Sequence, residues 1–217
     1  MKLEHIQIQT NDIQKTADFY SNVLELQILE QNSKSVTIQA GASILKFTEN
    51  TQFDSTYHFA FNIPENKLKE AIQWCQNKVG LLLIEDQSVV ATFENWNANA
   101  VYFYDNNKNL LEFIARNDLN NSSTAIFNSK LILNISEIGI VDENPFQLGQ
   151  KLNTKHGLDF FTKNQNSEFF SALGDDEGLL IIVQPKRNWY PTQIPSESNP
   201  TEIRIQNNNE VATLIFK

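Results

Sequence analysis

The chain contains short segments in which apolar and polar residues alternate, a pattern that predicts β-strands with one buried face. The clearest segments are LEHIQIQT at 3–10, YHFAFNIP at 57–64 and NLLEFIAR at 109–116. Successive strand side chains point to opposite faces, so Ile6 and Ile8 share one face of the first segment while His5 lies on the other. The second segment separates His58 from Phe59 in the same way. Because a covering helix takes the apolar face, both histidines are predicted on the face that stays open.

An internal repeat connects the two halves of the chain. Residues 5–32 align without a gap with residues 137–164, so that Ile6 matches Ile138 and Leu26 matches Leu158. Each copy opens with a strand and continues with a helix whose apolar positions recur at helical spacing. In the first copy, three strands follow at about 25–31, 34–40 and 43–49. The repeating unit is therefore predicted as βαβββ, and the fold class as α+β with tandem βαβββ modules in mixed sheets.

A further copy of the unit begins at Tyr57. Its helix is predicted at 67–78, and its strands at about 81–85, 89–94, 100–104 and 110–115, one more than the unit needs. The polar stretch at 118–130 is rich in asparagine and serine and indicates a linker. Residues 1–117 are therefore predicted to hold paired modules, at about 1–50 and 56–117, and residues 131–217 a third module with a truncated fourth unit.

Composition narrows the classes of partner. The formal net charge of −9 over 217 residues argues against nucleic acid or an anionic membrane, because both require a basic surface. A small-molecule substrate is the expected partner. The single cysteine, Cys75, excludes an internal disulfide, and no stretch resembles a membrane span or a secretion signal, so a cytoplasmic location is expected. An incomplete fourth unit leaves strand edges that a second copy could cover, which is compatible with a homodimer.

Three side chains able to bind a metal recur at nearly even steps: His5, His58 and Glu112, 53 and then 54 residues apart. Together they would form a facial triad for one divalent metal per chain, with Fe(II) or Mn(II) slightly favoured over Zn(II) or Ni(II). A lone histidine near a strand start is more often a partly buried, hydrogen-bonded residue. Glu112 is the stronger sign, because a carboxylate inside the apolar run LLEFIA needs a partner. That partner is either a metal or a donor such as Lys46, Arg116 or the backbone.

Two segments resemble the vicinal oxygen chelate superfamily, which includes glyoxalase I, extradiol ring-cleaving dioxygenases and fosfomycin- and bleomycin-resistance proteins. They are HIQIQTNDIQKTADFYSNVLELQIL at 5–29 and AVYFYDNNKNLLEFIAR at 100–116. The resemblance implies paired βαβββ modules that form curved sheets around a divalent metal, with ligands on the first and last strands of a module. Those positions correspond to His5, His58 and Glu112, and a fourth falls near Lys46, which cannot ligate while it is protonated.

The same resemblance implies a function. It indicates a divalent-metal-dependent enzyme that acts on a small oxygenated molecule, either a glyoxalase-like lyase or isomerase or an extradiol dioxygenase-like oxidoreductase. A non-catalytic small-molecule binding protein of the bleomycin-resistance type is the alternative, and modules that serve only protein association are a third hypothesis.

The run Tyr102-x-x-Asp105, followed by Glu112, resembles the extradiol dioxygenase pattern and makes Tyr102 and Glu112 the candidate catalytic residues. That pattern also has a histidine six to eight residues before its tyrosine, where this chain has Glu-Asn-Trp at 94–96. A tyrosine in such a strand is more often a core aromatic than a catalytic residue. In glyoxalase-type chemistry Glu112 would have to serve both as a ligand and as the base.

The third module departs further from the pattern. Glu137 takes the place of His5, and Ile181 falls near the place of the carboxylate ligand, so no second triad is predicted there. We interpret this module as a metal-free copy that walls the pocket or serves an interface. Asn62, on the histidine-bearing face, and Trp189, in a loop, are the candidate substrate-binding residues, although a loop tryptophan more often only packs.

Overall fold

The computed structural model describes residues 1–52, 55–84 and 87–217, and these residues form two mixed β-sheets. The first sheet contains β1 (Lys2–Thr10), β2 (Gln27–Asn32), β3 (Ser35–Ala40), β4 (Ser43–Glu49), β12 (Thr201–Asn207) and β13 (Glu210–Phe216), in the order β13-β12-β1-β4-β3-β2. The second contains β5 (His58–Ile63), β6 (Ala91–Phe93), β7 (Ala98–Tyr104), β8 (Leu110–Arg116), β9 (Asn134–Val141), β10 (Phe170–Asp175) and β11 (Gly178–Val183), in the order β10-β11-β9-β5-β8-β7-β6. The helices are α1 (Ile13–Asp18), which continues as a π-helix over Phe19–Val23, α2 (Leu68–Cys75) and α3 (Pro145–His156).

The sequence repeat appears in the structure as a repeated pairing of strands. In each of the first three units the first and last strands lie side by side in parallel: β1 with β4, β5 with β8, and β9 with β11. The units then join in pairs through antiparallel strands, β5 with β9 and β1 with β12. The second unit therefore shares a sheet with the third, and the first unit shares a sheet with the last. The predicted α+β class of repeated modules in mixed sheets is confirmed.

The apolar faces of the strands meet in a core that includes residues from both sheets. Ile6 and Ile8 of β1 are buried there, as are Phe59 and Phe61 of β5, in agreement with the alternation in the sequence. Burying these faces together removes the largest apolar surfaces of the chain from water. The opposite faces, which carry the histidines, are left to line two separate concavities.

The turn between β7 and β8 is fixed by Asp105, the acidic residue of the Tyr-x-x-Asp run. Its buried carboxylate accepts hydrogen bonds from the Tyr20 hydroxyl at 2.9 Å and from the backbone N–H groups of Asn107 and Asn109 at 2.8 and 2.9 Å. Because Tyr20 belongs to the first unit, this carboxylate also links the first unit to the second. Asp105 therefore has a structural role.

Two predicted elements differ from the structure. No strand forms at 81–84. The N–H of Leu82 donates to the carbonyl of Tyr102, but that of Ile84 donates to the carbonyl of Ser88 and not to a neighbouring strand. Residue 85 of the predicted strand lies outside the described residues. Two strands, β10 and β11, follow α3 in the third unit, in place of the three that the repeat predicts. Within the described residues, none of the helices has the length and apolar character needed to cross a membrane.

Candidate metal centre

His58, Glu112 and Glu137 converge on the open face of the seven-stranded sheet. Strand β5 lies between β8 and β9, and Ala60 pairs with Glu112 on one side and with Glu137 on the other. His58 lies two residues before Ala60 and therefore on the same face. The methyl side chain of Ala60 leaves space between the two carboxylates. One ligand atom from each of the three residues lies within 4.8 Å of the others, and all three residues are buried.

The His58 ring is held with one nitrogen facing the carboxylates. Its Nδ1 lies 3.1 Å from the carbonyl oxygen of Leu110, and its Nε2 lies 3.8 Å from Glu112 Oε2. Since a carbonyl can only accept, Nδ1 carries the proton and the Nε2 lone pair points into the cluster. Burial lowers the pKa of His58 to about 4, so the imidazole is neutral at physiological pH. A backbone acceptor on the far nitrogen is the arrangement that orients a metal-binding histidine.

The two carboxylates have different surroundings. Glu112 Oε1 is buried without a hydrogen-bond partner among the described residues. Burial and the nearby Glu137 raise the pKa of Glu112 well above its usual value, and Arg116 and the Tyr102 hydroxyl oppose that rise. Glu137 forms a buried ion pair through its Oε1 with the guanidinium of Arg116. Burial raises the pKa of Glu137, and Arg116 counteracts this rise.

This donor set fits a divalent metal. One neutral imidazole and two carboxylates provide the nitrogen and oxygen ligands that Mn(II), Fe(II) and Zn(II) accept. The Glu112 oxygen that lacks a partner is costly to bury unless a cation or a proton joins it. His58 Nε2 already faces this carboxylate. The residues therefore meet the requirement of a metal site from their own geometry.

A cavity of about 500 Å³ opens above the three residues. Half of the residues that line its walls are aromatic: Phe93, Trp96, Tyr102, Phe170, Trp189 and Tyr190. The others include the polar residues Asn164, Gln165, Arg187 and Asn188. The Trp189 ring covers His58, with 5.1 Å between the ring centroids. It reaches this position because residue 139 of β9 is glycine: a Cβ there would lie 2.5 Å from Trp189 Cη2. The cavity thus combines aromatic and aliphatic side chains with a few polar ones above a polar floor, as small-molecule sites commonly do.

The structure does not bring His5 to this cluster, which corrects the predicted triad of His5, His58 and Glu112. Strand β1 pairs with β4 and β12, and these strands belong to the six-stranded sheet. His5 is only partly buried there, and burial together with Lys46 and Arg204 lowers its pKa, while Glu202 raises it. The physical reason is the pairing of units: the second unit joins the third, so residue 137 occupies the place that His5 was expected to fill.

Glu137 is the residue that sequence reasoning missed, although the repeat aligns it with His5. The sequence predicts a metal-free third module, because Glu137 stands where an imidazole is expected and Ile181 stands near the place of the carboxylate ligand. Of the other candidates, Tyr102 lines the cavity opposite Glu112 on β7, and Trp189 lines it from its loop. Asn62 lies outside the cavity lining, where its Nδ2 donates to the carbonyl of Asp176 at 3.0 Å.

Comparison with known proteins identifies the class. The sequence profile of the glyoxalase/bleomycin resistance protein/dioxygenase superfamily matches residues 2–113. A candidate dioxygenase from Bacillus subtilis has a similar structure, with a TM-score of 0.65 and 14% identity over 96% of this chain and 71% of that protein. A variant of glyoxalase I from Zea mays is similar with a TM-score of 0.61 and 13% identity, over 91% of this chain and 72% of that protein.

The profile match covers more than half of the chain, and the chain belongs to this superfamily. The two structural matches share its fold. No curated protein matches the sequence.

Proposed function

We propose that the protein is a divalent-metal-dependent enzyme that acts on a small oxygenated molecule, with His58, Glu112 and Glu137 as the metal ligands. The observation that carries the proposal is Glu112 Oε1, a buried carboxylate oxygen without a hydrogen-bond partner among the described residues. The other oxygen of the same carboxylate, Oε2, lies 3.8 Å from His58 Nε2. Two carboxylates and one imidazole favour Mn(II) or Fe(II) over softer ions. The metal would act as a Lewis acid on neighbouring substrate oxygens.

The protein residues supply the surroundings of that chemistry. The aromatic side chains of the wall would hold the apolar or planar part of a substrate over the ligands. Tyr102 faces Glu112 across the β7–β8 pair, and burial and the nearby carboxylates raise its pKa well above the usual value. Its hydroxyl therefore stays protonated and can donate a hydrogen bond to an oxygen of the substrate.

A lyase or isomerase of the glyoxalase type is the better supported reaction class. The sequence has three histidines, of which His5 lies in the other sheet and His156 ends α3. No second imidazole therefore stands beside the cluster as the acid/base group that extradiol ring cleavage uses in related enzymes. Carboxylates do stand there, and a carboxylate can act as the base in an isomerisation.

Metal analysis tests the proposal. The protein is purified without oxygen, reconstituted in parallel with Mn(II), Fe(II) and Zn(II), and compared with Glu112→Gln by elemental analysis. Glu202→Gln, which removes a carboxylate from β12 in the other sheet, is the matched control. We expect one metal per chain in the parent and the control and little in Glu112→Gln. A parent that retains no metal under any of the three conditions refutes the proposal; a loaded parent justifies 2-oxoaldehyde and catechol assays.

Non-catalytic binding of a small molecule is the second candidate, and the aromatic lining of the cavity favours it. Aromatic walls bind apolar and cationic ligands without any metal. A binding protein would be stabilised thermally by its ligand, with no turnover and no effect of a chelator. The metal-dependent enzyme would lose ligand stabilisation when the metal is removed.

A further inference from the structure

Arg116 is fully buried beside the candidate metal centre, and its partners come from a different unit of the fold. It lies on β8, four residues after Glu112 and on the same face. Its Nη2 forms the ion pair with Glu137 Oε1 on β9, and its Nη1 lies 3.4 Å from Asp176 Oδ1. Asp176 belongs to the turn between β10 and β11. The guanidinium of the second unit is thus held by two carboxylates of the third.

The position of this guanidinium is fixed by further contacts. Asp176 Oδ2 lies 2.6 Å from Lys163 Nζ, which also lies 2.6 Å from Asp118 Oδ2. The Arg116 guanidinium carbon lies 5.6 Å from the centre of the Trp96 ring. Nη1, Nη2 and the flat face of the guanidinium have partners, while Nε is buried without one among the described residues. These contacts restrain Arg116 next to Glu137. Its guanidinium binds one carboxylate oxygen of Glu137, Oε1, and leaves the second oxygen of that carboxylate available.

A comparison of matching positions in the two sheets shows which charge Arg116 neutralises. His58 pairs with Leu110 in one sheet, and His5 pairs with Ile44 in the other, so the register matches Arg116 with Asn50. Ala60 pairs with Glu112 and Glu137, and its counterpart Gln7 pairs with Lys46 and Glu202. The six-stranded sheet therefore has one carboxylate and a lysine at these positions, and no arginine at the position of Arg116. The seven-stranded sheet has two carboxylates and the arginine together.

The charges of the cluster explain this pairing. Glu112 and Glu137 carry two negative charges when ionised, and Arg116 carries one positive charge, so one net negative charge remains. A cluster of two histidines and one carboxylate has the same net charge. A second buried carboxylate without a counter-ion would disfavour the ionised form of both carboxylates.

We infer that Arg116 is a positioning residue that serves as the fixed counter-ion of Glu137, so that position 137 holds a metal-binding glutamate only while Arg116 is present. The inference rests on the proposed metal function. It also makes a specific claim about residue 137: a histidine there suits the metal only when Arg116 is absent. If Glu137 is lost while Arg116 stays, the nearest remaining carboxylate on its own strand face is Glu112, and the freed guanidinium competes with the metal for it.

A double-mutant cycle tests the inference. The dissociation constant of Mn(II) is measured by calorimetry for the parent, Glu137→His, Arg116→Met and the double variant Glu137→His/Arg116→Met. Folding of each protein is checked by circular dichroism, and Arg116→Gln replaces Arg116→Met if the latter does not fold. Arg204→Met, which removes a partly exposed ion pair with Glu4 on the other sheet, is the control.

We expect Glu137→His to weaken Mn(II) binding at least tenfold, and the added loss of Arg116 to recover at least tenfold. The control should bind as the parent does. If Arg116 only supports the fold, Glu137→His and Glu137→His/Arg116→Met bind Mn(II) with equal affinity. That result overturns the inference while the proposed function stands. A parent that binds no Mn(II), Fe(II) or Zn(II) overturns both.

Discussion

Replacing Glu112 by glutamine should stabilise the metal-free protein while it abolishes metal binding. Burial and Glu137 raise the pKa of Glu112 well above its usual value, so the native state resists ionisation of this carboxyl group. Glutamine has nearly the same shape and no charge. Taking an ionised carboxylate out of water costs several kcal/mol, and Arg116 offsets only part of that cost for Glu112. We therefore expect a gain in the free energy of unfolding of about 2 kcal/mol at pH 8 in chelator. For a chain of this length that corresponds to a rise in Tm of about 4–8 °C.

The sign of the pH dependence follows from the direction of the pKa shift. Near pH 4 the Glu112 carboxyl is largely protonated in the native and unfolded states, so its effect on stability is small. As the pH rises, the unfolded chain releases the proton first while the native state retains it, and the parent loses stability. The loss continues until the pH reaches the raised native pKa. Each unit of difference between the two pKa values is worth about 1.4 kcal/mol.

His58 gives the opposite trend in both proteins. The pKa of His58 is lowered to about 4 in the native state. Its contribution to the free energy of unfolding is therefore lost as the pH falls below the pKa of the unfolded chain and through the native pKa. The difference in stability between Glu112→Gln and the parent therefore isolates Glu112, provided that His58 is present in both. We expect this difference to be small at pH 5 and to grow toward pH 8.

The assay is urea or thermal unfolding at pH 5 and pH 8, in chelator and in excess Mn(II). Mn(II) should stabilise the parent and leave Glu112→Gln unchanged, and Glu202→Gln should follow the parent throughout. If Glu112→Gln is less stable than the parent at pH 8 in chelator, Glu112 has a stabilising partner and the reasoning fails. Equal stabilisation of both proteins by Mn(II) would show that the metal binds elsewhere.

Three further predictions follow from the packing around the site. Gly139→Val places a side chain where the Trp189 ring lies, so we expect a loss of about 1–3 kcal/mol in unfolding free energy and a changed tryptophan emission; unchanged values would contradict the close contact. Ala60→Leu fills the space between the two carboxylates. Calorimetry should then show no Mn(II) binding, while the far-ultraviolet circular dichroism spectrum stays native. If the variant still binds Mn(II) with the parent affinity, Ala60 does not border the site. Tyr20→Phe removes a hydrogen bond to the buried Asp105 carboxylate. Urea unfolding should show that the free energy of unfolding falls by about 1–3 kcal/mol, with the Mn(II) affinity unchanged. A lower Mn(II) affinity would instead show that this turn supports the metal site.

Much of the fold could be predicted from the sequence because its signals are local. Alternation in 3–10 and 57–64 predicts both the strands and their buried faces, and the repeat predicts the order of elements in each unit. The strand predicted at 81–84 is wrong. A short apolar run has the same composition whether it pairs with a neighbouring strand or, as Ile84 does, bonds to a residue close to it in the sequence.

The site could be predicted only in part. His58 and Glu112 belong to one unit, and their pairing follows from the parallel contact between its first and last strands. The third ligand depends on which units share a sheet, and alternation along a strand contains no information about that choice. Residue type then misled the interpretation, because the charge of Glu137 is acceptable only with Arg116, which lies far from it in the sequence.

The pairing of the first unit with the last has a consequence for the order in which the protein folds during synthesis. The seven-stranded sheet is formed by residues between His58 and Val183, so every strand around the candidate metal centre is synthesised before β12. Lys2 of β1, in contrast, pairs with Gln206 of β12, and its antiparallel edge stays bare through most of translation. The sheet with the candidate metal centre can therefore fold first, while the edge of β1 in the other sheet stays unpaired until β12 is synthesised.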